Sequence, residues 1–289
     1  MKQHSGHSPV MANEVVDFFY EGKTDGLLVD GTAGGGGHLA ELTRRMPNSR
    51  FLAVDRDPSA VSGLKERFAS RTSVTVRRGS YVRIPEILEK EDMGMASGAL
   101  FDLGLSSLQL DDPQRGFSYR TDGPLDMRFD GSGELMAEDL VNRTGEKELA
   151  DIIYRYGQEG RSRRIARAIT EARPLKTTRE LADAVAGAVR GRGVKVLSRV
   201  FQALRIAVNR ELENLDTLLS ELHTWTEPGA RIAFITFHSL EDRRIKLLFR
   251  DDGRFSQHSP KWLVPGEEEL KMNSRARPAR LRMGIRTGE

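Results

Sequence analysis

The run Leu27-Leu-Val-Asp30-Gly-Thr-Ala-Gly34-Gly-Gly-Gly-His38 constrains this chain more than any other stretch. A short apolar segment ends in an aspartate, passes through four successive glycines and opens into the helical pattern Leu39 to Arg45. Glycine lets the backbone turn sharply and approach a ligand, and the helix start beyond it favours negative charge. A bare strand-to-helix turn needs fewer glycines, so the loop reads as a cofactor cradle at the carboxyl end of a strand.

The surrounding sequence supplies the sheet for such a strand. Phe51 to Asp55, Val74 to Val76 and Gly98 to Asp102 read as further strands, two of them also ending in Asp, and Pro58 to Phe68 carries Val61, Leu64 and Phe68 at helical spacing. This alternation predicts a parallel sheet covered by helices on both faces, its ligand crevice at the carboxyl edge. After Asp102 the pattern changes. Asp111 to Gly133 has the Asp, Gly and Pro content of a long functional loop. Helices are then expected around Leu149, Ile152, Ile153 and Tyr156, and behind a Thr177 to Glu180 capping box. One long periodic run, Leu197 to Leu222, is expected to stop at Pro228-Gly229, and Arg231 to Phe237 and Leu281 to Ile285 return to strand. The expected organisation is a discontinuous α/β domain, 1–110 and 208–289, interrupted by a loop and helical insertion at 111–207.

Composition narrows the chemistry. The chain has no cysteine, which excludes disulfides, thiolate metal sites and a covalent Cys mechanism such as methylation of a pyrimidine ring carbon would need. No apolar run approaches the roughly 20 residues of a membrane span, and Met1 to His7 lacks a signal-peptide core, so a cytoplasmic protein is expected. Net charge is only +3, yet 14 basic and 4 acidic residues lie between Arg155 and Arg210, and Lys271 to Arg286 forms a second basic cluster. Such clustering suits a polyanionic partner. No Gly-Lys-Ser/Thr follows the glycines, and Leu39 stands where a dinucleotide fingerprint needs its third Gly. S-adenosylmethionine, which has no pyrophosphate, fits better, with Asp55 placed for the ribose hydroxyls. His4 and His7 are three apart with no carboxylate spaced to complete a site, so no metal is expected.

The ordered runs Asp30 to His38, Asp55-Arg-Asp57, Asp102 to Asp111, Arg115-Gly-Phe-Ser-Tyr119 and Asp122 to Arg128 resemble the bacterial small-subunit ribosomal RNA cytosine-N4 methyltransferases of subfamily H, the MraW family. Phe201 to Asn209, Phe237 to Arg243 and Ser274 to Arg282 continue the likeness in order. The resemblance implies a Rossmann-like class I S-adenosylmethionine-dependent methyltransferase with an inserted helical domain for RNA recognition. It further implies a decoding-region cytidine of small-subunit ribosomal RNA as acceptor, presented within the small ribosomal subunit. Carried over by motif, the cofactor contacts are Gly36, Gly37, His38, Asp55, Tyr81, Asp102 and Gln109; Tyr81 replaces an expected Phe and keeps an aromatic face.

A cytosine amine is a poor nucleophile, so its hydrogens must be held while nitrogen pyramidalises in line with the methyl. Many amino-methyltransferases do this with Asp/Asn-Pro-Pro-aromatic, but this chain reads Asp102-Leu-Gly-Leu105. Base stacking must come from elsewhere, with Phe117, Tyr119, Phe129 and Phe237 as candidates. Asp102, Ser106 and His238 are the expected catalytic groups, although a serine after a strand is as often a helix cap. Asp122, Asp126 and Arg128 read either as a lid or as a salt-bridged loop. A DNA or other-RNA amino-methyltransferase, or an RNA-binding assembly factor with dispensable methyl transfer, are the alternatives.

Overall fold

The computed structural model describes residues 9–288 apart from 23, 25, 132, 134 and 190–192; His4 and His7 lie outside the described residues. The chain divides into a sheet unit, Met1–Gly104 with Glu213–Glu289, and a helical unit, Leu105–Leu212. The seams fall at 105 and 213 rather than at 111 and 208.

Val15, Val16, Phe18 and Phe19 bury one side of α1 (Ala12–Glu21). The alternation expected from the first hundred residues follows: β1 (Leu27–Asp30), α2 (Gly37–Arg45), β2 (Arg50–Asp55), α3 (Pro58–Arg67), β3 (Val74–Arg78), α4 (Ile84–Lys90) and β4 (Ala96–Asp102). The helical unit holds α5 (Ser107–Asp111), α6 (Ala137–Arg143), α7 (Glu146–Gly157), α8 (Ser162–Glu171), α9 (Thr178–Ala188) and α10 (Gly193–Asn209). The chain returns through α11 (Glu211–Trp225) to β5 (Thr226–Thr236), α12 (Ser239–Asp251), β6 (Phe255–Gln257), α13 (Glu267–Met272) and β7 (Arg280–Arg286).

The seven strands lie in the order β3-β2-β1-β4-β5-β7-β6. β1 pairs in parallel with both β2 and β4, so the winding reverses at β1 and opens a crevice at its carboxyl end. β7 is antiparallel to β5 and β6. Side chains alternate between two cores. Val29, Leu52, Val54, Phe101, Ile232 and Phe234 enter one, and Leu28, Phe51, Ala53, Leu100, Ala233 and Ile235 enter the other. Burial on both faces explains why these strands read as unbroken apolar runs. Phe101 stacks on Phe234 at 5.0 Å with Trp225 edge-on at 6.4 Å.

The helical unit has its own core, including Leu149, Ile153, Ile165, Ile169, Leu181, Val185, Phe201 and Leu204. Gly157 lets α7 meet α10 closely, since a Cβ there would stand 2.6 Å from the Arg199 carbonyl oxygen. The single periodic run expected from Leu197 to Leu222 is two helices, because Arg210 adopts a left-handed φ of 50° between them. Nor does that run stop at Pro228-Gly229: the helix ends at Trp225, and both residues lie within β5, beside the register shift between Ala96 and Gly98. Among the described residues no helix is long and apolar enough to cross a membrane.

Candidate active site at the carboxyl edge of the sheet

The glycine loop is held by its neighbours before any ligand is considered. Gly31 N–H donates to the Leu100 carbonyl and Ala33 N–H to that of Val54, so the loop is tied to β4 and β2. Gly36 caps α2 at φ 74°, where a Cβ would be strained and 2.7 Å from Leu64. Asp55 completes the fastening. Its Oδ2 accepts the Gly34 N–H at 2.7 Å and its Oδ1 the Asp57 N–H at 2.8 Å. Asp55 therefore shapes the cradle as well as facing it.

Three carboxylates gather at this edge. Asp30 is 4% exposed, and burial pushes its carboxyl up to about 7, with Asp102 and Asp55 adding repulsion while His38 and the Thr32 N–H oppose it. Burial likewise raises Asp55, against the amides of Asp57 and Gly34. Asp102 donates its own N–H to Thr32 Oγ1 at 2.6 Å, and its Oδ2 lies 3.5 Å from His38 Nε2. Asp102 Oδ1 and both ring nitrogens of His38 are buried without a hydrogen-bond partner among the described residues. None of these carboxylates is ion-paired with a Lys or Arg among the described residues. Clustered acidic groups that no Lys or Arg of the described residues pairs fit a cationic ligand such as a sulfonium.

Gly36, Gly37, His38, Asp55, Tyr81 and Asp102 all belong to the sheet unit. The Tyr81 ring meets Phe101 edge-on at 6.1 Å, in the turn after β3. Ser106 and Gln109 belong to the helical unit, where they form a reciprocal capping box on α5. The serine hydroxyl thus serves as a helix cap.

His238 stands two residues beyond β5, the strand paired with β4. It caps α12: Nδ1 accepts the Glu241 N–H at 3.3 Å, and Nε2 lies 3.1 Å from Glu241 Oε1, out of line for a hydrogen bond. The acceptor nitrogen is therefore engaged by the helix, with the proton assigned to Nε2. Glu241 Oε2 also accepts the N–H of Phe237 at 2.9 Å, which holds that aromatic at the strand exit. A Cβ on Gly104 would lie 3.2 Å from the Phe237 ring, so the missing side chain in Asp102-Leu-Gly104 makes room for it. The other aromatic candidates pack within the helical unit, Phe117 on Phe129 at 5.7 Å and Tyr119 on Phe201 at 5.5 Å.

The loop ahead of α6 is salt-bridged. Arg128 binds Asp126 with Nε and Nη2 at 2.9 and 2.8 Å, and Asn209 reaches the Met127 carbonyl and the Phe129 N–H. Burial would raise Asp126, but these bonds to Arg128 hold it below the usual carboxylate range. Asp122 is held low by the Arg179 amide. The basic surplus is partly internal too: Arg161 and Arg199 share Glu159, Arg205 clasps Glu211, and Arg173 binds the carbonyls of Val141 and Thr144. Exposed on α8 are Arg163, Arg164 and Arg167, the last paired with Glu171.

Sequence reasoning noted Asp30 only as a strand end and missed Glu241 and Thr32. An ionisable residue closing a strand that is otherwise wholly buried was the available signal for Asp30. Glu241 had its own cue, lying three residues after His238 at the spacing of a capping box.

One family model, described as the MraW methylase family, matches residues 4–286. The ribosomal RNA small subunit methyltransferase H of Coprothermobacter proteolyticus is 45% identical over 290 residues, covering 98% of this chain and 97% of its own. Proteins of the same name from a Methylobacterium species and Synechococcus elongatus are 44% and 43% identical, each covering 97% of this chain and 91% and 94% of their own.

Proposed function

Because the chain belongs to the MraW methylase family, we propose that it methylates the exocyclic N4 amine of a decoding-region cytidine in small-subunit ribosomal RNA, with S-adenosylmethionine as donor. When bound, that cofactor supplies a methyl group already activated on a sulfonium. The observation that carries the reading is Asp102 Oδ1, a buried acceptor at the end of β4 without a hydrogen-bond partner among the described residues.

The Asp102 carboxylate accepts a hydrogen bond from the amine as nitrogen pyramidalises, and after methyl transfer it takes the one proton that the methylated nitrogen must lose. Thr32 holds the backbone N–H of Asp102 and His38 stands 3.5 Å from its carboxylate, so the strand end is positioned before the reaction and little reorganisation is left for it. Phe237 stacks the target base beside Gly104, and His238 with Glu241 fixes the turn that presents it. Asp55 holds the glycine loop open for the cofactor and receives the ribose hydroxyls, with Gly36, Gly37 and His38 beneath and Tyr81 alongside. Gln109 and Ser106 cap the first helix of the helical unit reciprocally. The exposed arginines of α8 dock RNA through phosphates, and the reaction takes place in the cytoplasm on the small subunit.

Incubation with labelled S-adenosylmethionine and small ribosomal subunits, naked ribosomal RNA or DNA, followed by mass mapping of the labelled nucleotide, tests this reading. The expected product is one N4-methylcytidine in ribosomal RNA. Label confined to DNA, or on a ring carbon, overturns it.

A further inference from the structure

We propose that the strip from Lys261 to Arg280 is a docking surface for single-stranded RNA flanking the target nucleotide, with the Trp262 indole as its base-stacking platform. The proposal rests on the substrate reading given above and adds a surface to it.

Register places the strip. Arg280 pairs with Thr236 and Leu281 with Ile235, so the start of β7 lies at the carboxyl end of β5, where Phe237 emerges. Leu263 bridges Leu281 through two backbone hydrogen bonds, which brings Trp262 to the same edge of the sheet. Leu263 packs on the core, while its neighbours Trp262 and Val264 are exposed.

Trp262 is 48% exposed, whereas the other tryptophan, Trp225, is 4% exposed in the core. An indole left in water needs a reason, and the support beneath this one is built. The Arg282 guanidinium lies 5.5 Å from its centroid. Arg282 is itself buried, its Nε and Nη2 on the two oxygens of Asp242 at 2.7 and 3.1 Å, and its Nη1 on the Lys261 carbonyl at 3.1 Å. Gln257 donates to that same carbonyl at 2.6 Å. The indole therefore sits on a fixed cation with its backbone pinned, and a rigid π-face of this kind stacks any nucleobase without selecting among them.

Charge along the strip selects the partner. Lys261 precedes the indole in the chain and Arg280 gives one nitrogen to Asp242, the acid that also holds Arg282; both are exposed, as is Arg277 further along the strip. The acids of the strip, Glu267, Glu268 and Glu269, open α13, and Glu269 accepts the Met11 N–H. An exposed aromatic face on a strip that also exposes Lys261, Arg277 and Arg280, at the sheet edge of the proposed methyl-transfer site, suits the phosphates and bases of an unpaired strand.

The full-length protein is titrated with a single-stranded RNA dodecamer spanning the mapped cytidine. Trp262 fluorescence should be quenched on binding, Trp262→Ala should weaken RNA affinity and raise KM for RNA about tenfold with kcat and cofactor affinity unchanged, and Trp262→Phe should restore both to within threefold. Lys261→Gln with Arg277→Gln should flatten the salt dependence while leaving cofactor binding intact. RNA affinity and KM unaltered by Trp262→Ala, in a protein that still methylates its RNA, overturn the proposal alone. Loss of self-association in Trp262→Ala without loss of RNA affinity makes the strip a contact between copies, which also overturns it. A parent protein that binds cofactor but methylates no ribosomal RNA overturns the substrate reading, and the strip's role with it.

Discussion

Asp30 and Asp102 end neighbouring strands, yet their surroundings differ, and that difference can be measured. Burial raises the Asp30 carboxyl to about 7. Between an unfolded value near 4 and that folded value, the native state holds a proton that the unfolded chain has lost, so this contribution to stability declines as pH rises through the window. In Asp30→Asn the decline should vanish. Relative to the parent, the variant gains unfolding free energy from pH 4 to 7 and then levels, with a ceiling of about 4 kcal/mol. Urea unfolding at a series of pH values reads this out, and parallel curves for the two proteins would refute it. Ionised Asp30 also favours a cation, so the preference for S-adenosylmethionine over its neutral thioether product should grow from pH 6 to 8 in the parent and stay flat in the variant. At Asp102 the expected effect is kinetic. Asp102→Asn replaces one acceptor by a donor and should lower the single-turnover rate at saturating cofactor at least a hundredfold, on the order of 3 kcal/mol. His238→Ala should lose about 1 kcal/mol of stability with its helix cap while the rate stays within threefold, because its acceptor nitrogen is engaged by Glu241. A rate lowered a hundredfold in His238→Ala would make it a proton acceptor after all.

At the scale of elements, what the sequence disclosed and what it hid have separate physical causes. Strands buried on both faces are continuous apolar runs, so β1, β2, β4 and β5 were legible, and with them the glycine loop and Asp55. The break between α10 and α11 was not legible, because apolar spacing continues across it while Arg210 turns left-handed. Its cause is tertiary: Asn209 is held by Met127 and Phe129, far away in sequence, and this anchors the end of α10. The surroundings of the aromatics in the Asp111 to Gly133 loop were not legible for a related reason, since a loop aromatic has no periodicity to show whether it faces a core or a ligand. Charge counting also overstated the basic face, several arginines being bound to carboxylates or carbonyls inside the helical unit. What remains on α8 makes a narrower prediction. Replacing Arg163 and Arg164 with Gln should reduce the slope of log RNA affinity against log salt by roughly 0.7 per side chain, and adding Arg167→Gln should contribute less because Glu171 already holds it. Binding measured from low to moderate salt tests this, and a slope unaffected by the pair would move the phosphate contacts off α8.

Across the whole molecule, most of the proposed cofactor residues and the helical packing fall in different units. The three strand-end aspartates, the glycine loop, Tyr81 and Phe237 lie in the sheet unit, whereas Ser106 and Gln109 open a unit with a separate apolar core. Ligand binding protects amides where it adds free energy to the native state, by an amount set by ligand concentration over dissociation constant, about 2.7 kcal/mol at a hundredfold excess. Saturating S-adenosylmethionine should therefore slow hydrogen exchange at the amides of Gly34 to His38, and at Asp57, whose N–H is bound by Asp55. Amides buried in α7 and α9 report only on the helical unit's own core and should exchange as before. Gln109 decides between two versions of the site. Its N–H is bound to Ser106 Oγ, so a cofactor contact through its side chain should rigidify the capping box and protect that amide together with the glycine loop. Protection of the loop with unchanged exchange at Gln109 would confine the cofactor site to the sheet unit, and Gln109→Ala should then leave cofactor affinity within threefold of the parent.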